Sequence, residues 1–295
     1  PEHIPREISP PHLCTPSRIV GERVLSGVLS RLAEDDDIER VLDLGCGGGE
    51  YRFLFPGCAY LGLDLKDADF RRKMGQDHCF ILANANFLPV AGQTQDLVFS
   101  SYAFQYFPDP ELALRGIQRV LVPGGKAVIM LPTSWIFSYE LCSRGVEQLG
   151  IKLGQVSAQS GLKPQSPAHF RDLAAAVGFS RVNIIPIYGW PVWLSKIIYS
   201  WERVFLHLFT RLLRKLTFGK YDRIVPLYRD RKVPRAVTSQ HWREILQEAK
   251  EKKSFRDHLY LSFLKLILFL NRRQSGLPVV EFLAVLHKRQ QGDEG

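Results

Sequence analysis

Short apolar runs alternate with helical patterns over most of the first 190 residues. The runs are bounded by glycine, proline or charged residues and are too short for helices, which is typical of buried strands. Apolar residues three and four positions apart predict helices before and between these runs. The alternation favours an α/β fold with a mostly parallel sheet. The predicted strands are 41–43, 60–64, 79–83, 95–100, 127–131, 181–187 and 278–286, and the predicted helices are 17–33, 111–121 and 167–177.

About 90 residues separate the last two predicted strands, where a minimal domain of this kind needs only a short connection. Residues 191–218 hold one apolar stripe, which includes Trp193 and Trp201, with basic residues on the opposite face. This pattern predicts an amphipathic helix about 40 Å long. It fits contact with a membrane surface or a lipophilic substrate, and packing on the chain's own domain or dimerisation is the alternative.

A glycine cluster follows the first predicted strand. Residues 41–49 read Val-Leu-Asp-Leu-Gly-Cys-Gly-Gly-Gly, and Asp64 closes the next strand about 20 positions later. Glycines at such a turn let a ligand approach the backbone, and an acidic residue at this spacing can accept hydrogen bonds from ribose hydroxyls. The layout predicts a nucleotide site.

Glu50 decides which nucleotide is expected. Dinucleotide sites have a glycine at this position, next to a pyrophosphate that a carboxylate would repel. A ligand with no phosphate and a positive charge is compatible with Glu50. S-adenosylmethionine, an adenosine with a sulfonium and an amino-acid tail, meets both conditions.

The order of the segments that follow the later strands also fits a site for S-adenosylmethionine. A polar segment, 84–89, follows the third strand, residues 101–107 follow the fourth, and a Pro-Gly-Gly turn precedes the fifth. Together with the glycine cluster they resemble the class I S-adenosylmethionine-dependent methyltransferases, in particular the small-molecule group related to ubiquinone and menaquinone biosynthesis. The resemblance covers roughly 38–187 and resumes near 279–288. It implies a Rossmann-like, seven-stranded, mostly parallel sheet, here with a helical subdomain inserted between the last two strands.

The resemblance also implies a set of cofactor-binding residues. Asp64 is expected on the ribose, and Asp43 is expected to orient the loop or to reach the methionine amino group through water. Asn84 stands where the family often has Asp, and it either meets the adenine or only forms a turn. Pro56 and Gly57 shorten the helix after the loop. The full expected set is Asp43, Gly45, Cys46, Gly47, Gly49, Asp64, Leu65, Asn84, Ala85 and Ser101.

Methyl transfer depends mainly on positioning, and a general base is needed only for a hydroxyl, an acidic carbon or a protonated amine. Two catalytic candidates stand near the expected site, His169 at a helix start and Tyr106 after the fourth strand. The alternative interpretation of His169 is a solvent-facing first-turn residue, and that of Tyr106 is a core or cofactor-stacking aromatic. Ser101, Tyr102 and Gln105 share that strand end. No metal site is predicted.

The net charge of +9 is concentrated in one segment. Residues 188–278 hold 19 Lys and Arg against 7 Asp and Glu, a net +12, whereas the rest of the chain is at −3. Such a segment can mark nucleic-acid binding. Against RNA methylation, the fourth strand ends in Ser-Ser-Tyr-Ala-Phe and not in the Asn/Asp-Pro-Pro-Tyr motif of enzymes that methylate base amino groups. A cofactor-binding homologue without turnover is a third alternative.

Five cysteines without a C-x-x-C pair, two of them (Cys46 and Cys79) in predicted core elements, favour free thiols in a reducing compartment. Residues 1–16 have no apolar signal core, and no uncharged apolar run reaches 18 residues. We expect a cytoplasmic protein, or one peripheral on the membrane.

The predicted organisation is an arm and helix (1–38), a methyltransferase core (39–187), a basic insertion (188–277) and a last strand with a tail (278–295).

Overall fold

The computed structural model describes residues 16–35, 38–49, 51–65, 79–133, 165–188, 266, 279 and 281–290. Three α-helices and seven strands lie within these ranges, together with two short 3-10 helices, Arg52–Leu54 and Phe104–Tyr106. The helices are α1 (Pro16–Asp35), α2 (Pro110–Val120) and α3 (Pro167–Val177). The strands are β1 (Arg40–Leu44), β2 (Ala59–Asp64), β3 (Cys79–Leu82), β4 (Gln95–Ser101), β5 (Leu121–Pro132), β6 (Phe179–Tyr188) and β7 (Glu281–Lys288).

The described strands form one seven-stranded sheet in the order β3-β2-β1-β4-β5-β7-β6. Strands β1 to β5 run parallel, and β7 is antiparallel to both of its neighbours. The predicted mostly parallel seven-stranded sheet is confirmed. The predicted insertion between β6 and β7 lies outside the described residues. Because the strand order reverses between β1 and β4, ligands are expected at the carboxyl ends of these two strands.

Helices cover both faces of the sheet. On one face Leu25 and Leu29 of α1 pack with the 3-10 segment and with sheet residues such as Phe99. On the other face α2 and α3 pack on the sheet, and Phe170 of α3 contacts Phe104 edge-on with ring centroids 5.7 Å apart. That contact fixes the segment after β4, at the edge where the site is expected.

Local signals in the sequence, a serine before α3 and a glycine after it, set the two ends of this helix. The Ser166 side chain accepts a hydrogen bond from the His169 backbone N–H at 3.1 Å, and Gly178 ends the helix at φ 105°. Ser166 thereby satisfies a first-turn donor, and glycine adopts the left-handed conformation without a Cβ penalty. The predicted short helix after the glycine loop is a single 3-10 turn, ending just before Pro56.

Two expectations need correction. Strand β5 begins at Leu121 and not at residue 127, because Leu121 pairs with Gln95 before a register shift that Gly124 accommodates at φ 79°. Cys79 is exposed and not in the core, since β3 is an edge strand that is only partly covered. Cys46 is buried, as predicted.

A carboxylate at the opposite edge of the sheet joins β4 to β1. Asp96 accepts hydrogen bonds from the backbone N–H groups of Glu39 (3.2 Å) and Arg40 (2.9 Å) and pairs with the Arg40 guanidinium at 3.0 Å. The hydrogen bond to Asp96, and then its charge, raise the pKa of Arg40 above its ordinary value. Asp96 therefore fixes strand pairing far from the carboxyl edge.

Candidate functional site

The glycine loop after β1 has a backbone that only glycine adopts easily. Gly45, Gly47 and Gly49 have φ values of 74°, 55° and 67°, in the left-handed region. The Gly45 N–H donates to the Leu63 carbonyl at 2.7 Å, so the loop crosses the end of β2. A Cβ at Gly45 would overlap the Cβ of Ala103, just after β4. The loop thus lies between β2 and β4 with no room for a side chain at its first residue.

Two aspartates fix this loop from the strand ends. Asp64, the last residue of β2, accepts a hydrogen bond from the Gly47 N–H at 3.0 Å. Asp43 is buried in β1, 1% exposed, and accepts a hydrogen bond from the Tyr60 hydroxyl. The Cys46 side chain is also buried, and its backbone N–H donates to the Leu63 carbonyl at 3.2 Å. The expected cofactor residues of β1 and β2 therefore form one connected structure.

Asn84 lies just after β3, at the same edge. Its side-chain oxygen accepts a hydrogen bond from the Asn86 backbone N–H at 3.0 Å, which is the turn-forming role considered above. An amide oxygen has a second lone pair, so the turn is compatible with an adenine contact. Ala85 is buried, whereas Leu65 and Phe87 are 64% and 71% exposed. These two side chains provide apolar surface beside the ends of β2 and β3.

Ser101 is the last residue of β4 and contacts the segment that follows the glycine loop. Its hydroxyl is hydrogen-bonded to the Tyr51 hydroxyl at 2.8 Å. The preceding Ser100 donates to the Leu44 carbonyl at 3.0 Å, which holds the ends of β1 and β4 together. Ser101 therefore lies at the switch point of the sheet.

The two catalytic candidates lie at the carboxyl edge and are exposed. His169 is in the first turn of α3, which starts beside the end of β5 because the Gln165 N–H donates to the Pro132 carbonyl at 3.3 Å. Tyr106 is 44% exposed at the end of the 3-10 helix after β4. Both remain candidates by position only, since their described hydrogen bonds are those of their backbone N–H groups.

Sequence reasoning missed a polar pair near this edge, of which only Glu281 is fully buried. The Tyr102 hydroxyl donates to Glu281 Oε2 at 2.6 Å, and Glu281 is 3% exposed at the start of β7. Tyr102 has a left-handed φ of 52°, and Gln105 Nε2 donates to its carbonyl at 2.7 Å. The sequence signals for this pair were separate, a charged residue inside the predicted strand 278–286 and Tyr102 at the end of the fourth strand, and they lie 179 residues apart.

Among the described residues, no group of three His, Cys, Asp or Glu side chains is arranged to hold a metal ion. A parallel sheet whose switch point has a glycine loop bound to an acidic strand end defines a nucleotide-binding α/β domain. Residues 42–129 match the family described as a methyltransferase domain. The chain carries a class I S-adenosylmethionine-dependent methyltransferase domain.

Two curated relatives are similar to parts of the chain. The chain is 33% identical over 137 residues to the malonyl-[acyl-carrier protein] O-methyltransferase of Hahella chejuensis, covering 43% of this chain and 47% of that one. It is 34% identical over 109 residues to the demethylmenaquinone methyltransferase of Thermus thermophilus, covering 34% and 50%. The chain thus spans about half the length of these relatives. The solved YcgJ protein of Bacillus subtilis is 17% identical with a TM-score of 0.45, covering 90% of this chain and 98% of that one.

Proposed function

We propose that the protein is an S-adenosylmethionine-dependent methyltransferase that methylates an oxygen or carbon atom of a small lipophilic molecule. The observation that carries the proposal is the left-handed glycine loop, held by the Gly47–Asp64 hydrogen bond at the switch point. Glycine has no Cβ, so a ligand can lie against the backbone at Gly45, Gly47 and Gly49. Asp43 and Asp64 suit a cationic ligand better than a pyrophosphate.

The residues present fit this cofactor along the edge of the sheet. Asp64 would accept hydrogen bonds from the ribose, Asn84 and Ala85 would meet the adenine, and Leu65 would pack on it. Asp43, Ser101 and the loop residues Gly45, Cys46, Gly47 and Gly49 would hold the amino-acid end. When bound, the cofactor supplies an electrophilic methyl group. The chain's own residues orient it and exclude water, and positioning of this kind supplies much of the rate.

The lipophilic acceptor is proposed from the sequence of the insertion. By their names, the relatives act on malonyl-[acyl-carrier protein] and on demethylmenaquinone. Residues 188–277 combine net positive charge with the apolar stripe of 191–218, which suits a lipid or isoprenoid substrate at a membrane surface. We accordingly propose the core at 39–187 with 278–295, the insertion between them, and a cytoplasmic protein that associates peripherally with membranes. His169 and Tyr106 are the candidate acceptor-side groups.

Transfer of labelled methyl groups tests the acceptor class. With methyl-labelled S-adenosylmethionine and cell extracts as acceptors, we expect label in the lipid extract and little in the water-soluble extract or in RNA. An Asp64→Ala protein, assayed in parallel, should leave all three unlabelled. Label confined to RNA would contradict the proposal and support an RNA methyltransferase with a basic insertion. Binding of the cofactor with no label in any extract would indicate a homologue without turnover.

Vesicle co-sedimentation tests the membrane contact. No helix within the described ranges is long and apolar enough to span a membrane. We expect the protein to sediment with anionic vesicles and only weakly with neutral ones, since basic residues flank the apolar stripe. Replacing Trp193 and Trp201 together with Ser should abolish sedimentation, whereas Trp242→Ser, outside the stripe, should not. Equal recovery in the supernatant with both kinds of vesicle would contradict the membrane contact.

A further inference from the structure

The order of the strands separates a cofactor side from an acceptor side. The proposed cofactor contacts run from Asn84 after β3, through Asp64 on β2, to Gly45 after β1. Neighbouring strands are about 4.8 Å apart, so this row covers the length of an adenosine. The acceptor must therefore approach from the other side of β4, where β5 and β7 follow in the sheet. Because β7 is antiparallel to β5, its first residue, Glu281, lies at the same edge.

Tyr102 and Glu281 form a fixed pair on that acceptor side. The hydroxyl of Tyr102 donates to Glu281 at 2.6 Å. The backbone of α1 closes over the pair at Gly21, where a Cβ would lie 2.6 Å from the Tyr102 hydroxyl and 3.7 Å from Glu281 Oε2. Tyr102 itself is only partly buried, and Gln105 holds its carbonyl. The direction of the tyrosine side chain is thus set from both of its ends.

The pair is costly for a purely structural role. Burying a carboxylate costs free energy unless the group is paired and hydrogen-bonded. A left-handed φ at a non-glycine residue adds strain of order 1–3 kcal/mol, and such residues cluster at functional sites. The strained residue, Tyr102, lies between Ser101 and Ala103. The Ser101 hydroxyl is hydrogen-bonded to Tyr51, and the Ala103 Cβ lies against Gly45. Strain and buried charge therefore coincide at the edge where the acceptor must bind.

We propose that Tyr102, oriented by Glu281, binds the methyl acceptor and selects a neutral hydroxyl, phenol or enol over a carboxylate. The inference rests on the proposed function and names the acceptor group. A phenol that donates its own proton can still accept a hydrogen bond from an acceptor O–H. The negative charge of Glu281 behind it opposes an anionic acceptor.

Two probes of equal size and different charge test the selection. The protein saturated with S-adenosylhomocysteine is titrated calorimetrically with 1-naphthol, which is neutral at pH 7.5, or with anionic 1-naphthoate. We expect the wild type to bind 1-naphthol at least about tenfold more tightly. Glu281→Gln should reduce this preference about tenfold, whereas Glu281→Asp, which keeps the charge, should retain most of it. Tyr102→Phe should weaken 1-naphthol and leave 1-naphthoate unchanged.

The controls separate this inference from the proposed function. Each variant's affinity for S-adenosylhomocysteine and its thermal midpoint show whether the cofactor side and the fold are intact, and Tyr102→Phe carries the test if Glu281→Gln does not fold. Equal wild-type affinity for the two probes, an unchanged preference in Glu281→Gln, or no binding of 1-naphthol to the saturated protein would overturn the inference. Failure of the wild type to bind S-adenosylhomocysteine would instead overturn the proposed function.

Discussion

Gly45→Ala is expected to abolish measurable binding of S-adenosylhomocysteine and to lower the free energy of unfolding by about 3 kcal/mol. Two costs combine at this position. Alanine disfavours the φ of 74°, and its Cβ would overlap that of Ala103. The loop would have to move away from the turn after β4, which is where the cofactor's amino-acid end is expected. Calorimetry and urea unfolding measure the two effects.

Two other glycines provide matched controls. Gly57 has a φ of 87° but nothing within 4 Å of the position a Cβ would take, so Gly57→Ala should cost about 1 kcal/mol and leave cofactor binding intact. Gly27 lies inside α1 with open space around it, so Gly27→Ala should stabilise the protein by about 0.5–1 kcal/mol. If Gly45→Ala behaved like Gly57→Ala in both measurements, close contact at Gly45 would have no functional role.

Asp64→Ala is expected to raise the Kd for S-adenosylhomocysteine at least about 100-fold, because hydrogen bonds to a charged group contribute about 1.5–3 kcal/mol each. The variant loses both the proposed ribose contact and the acceptor for the Gly47 N–H. Asp64→Asn should lie between the wild type and Asp64→Ala, since an amide oxygen can still accept from Gly47. Calorimetric titration of the three proteins gives the series.

Asp96→Ala is the matched control for Asp64→Ala. Asp96 also lies on a strand of the sheet and accepts backbone N–H groups, but at the opposite edge. Its loss should lower the free energy of unfolding by about 1–3 kcal/mol and leave the Kd for S-adenosylhomocysteine unchanged. Equal loss of affinity in the two variants would show that the effect of Asp64→Ala is a general loss of structure.

The sequence predicts those elements whose signals are local. The apolar runs and the Ser166 and Gly178 helix ends lie within a few residues of what they determine, and the structure has them as expected. The sequence did not predict that β5 starts at Leu121. The Pro-Gly-Gly segment reads as a turn, but in the structure it is an irregular part of β5, and the pairing of Leu121 with Gln95 is not visible in the sequence of β5. Exposure of Cys79 likewise depends on β3 being an edge strand.

In the candidate site, too, the sequence predicts the features with local signals and misses those that depend on distant residues. Asp64 and the glycines are predicted as site residues because their spacing is a local pattern, but the hydrogen bond from the Gly47 N–H to Asp64 was not predicted. The sequence did not predict that Tyr102 pairs with Glu281, because the chain between them includes the whole insertion. The sheet creates this pair, because β7 runs antiparallel beside β5 and starts at the edge where β4 ends.

Calorimetric titration of the full chain with S-adenosylhomocysteine, with NAD as the comparison ligand, tests the central claim most directly. The account predicts single-site binding of S-adenosylhomocysteine in the micromolar range and no measurable heat with NAD, whose pyrophosphate would meet the acidic loop. Folded protein that gives no heat with S-adenosylhomocysteine, or that binds NAD more tightly, would contradict the assignment of this edge as a methyl-donor site.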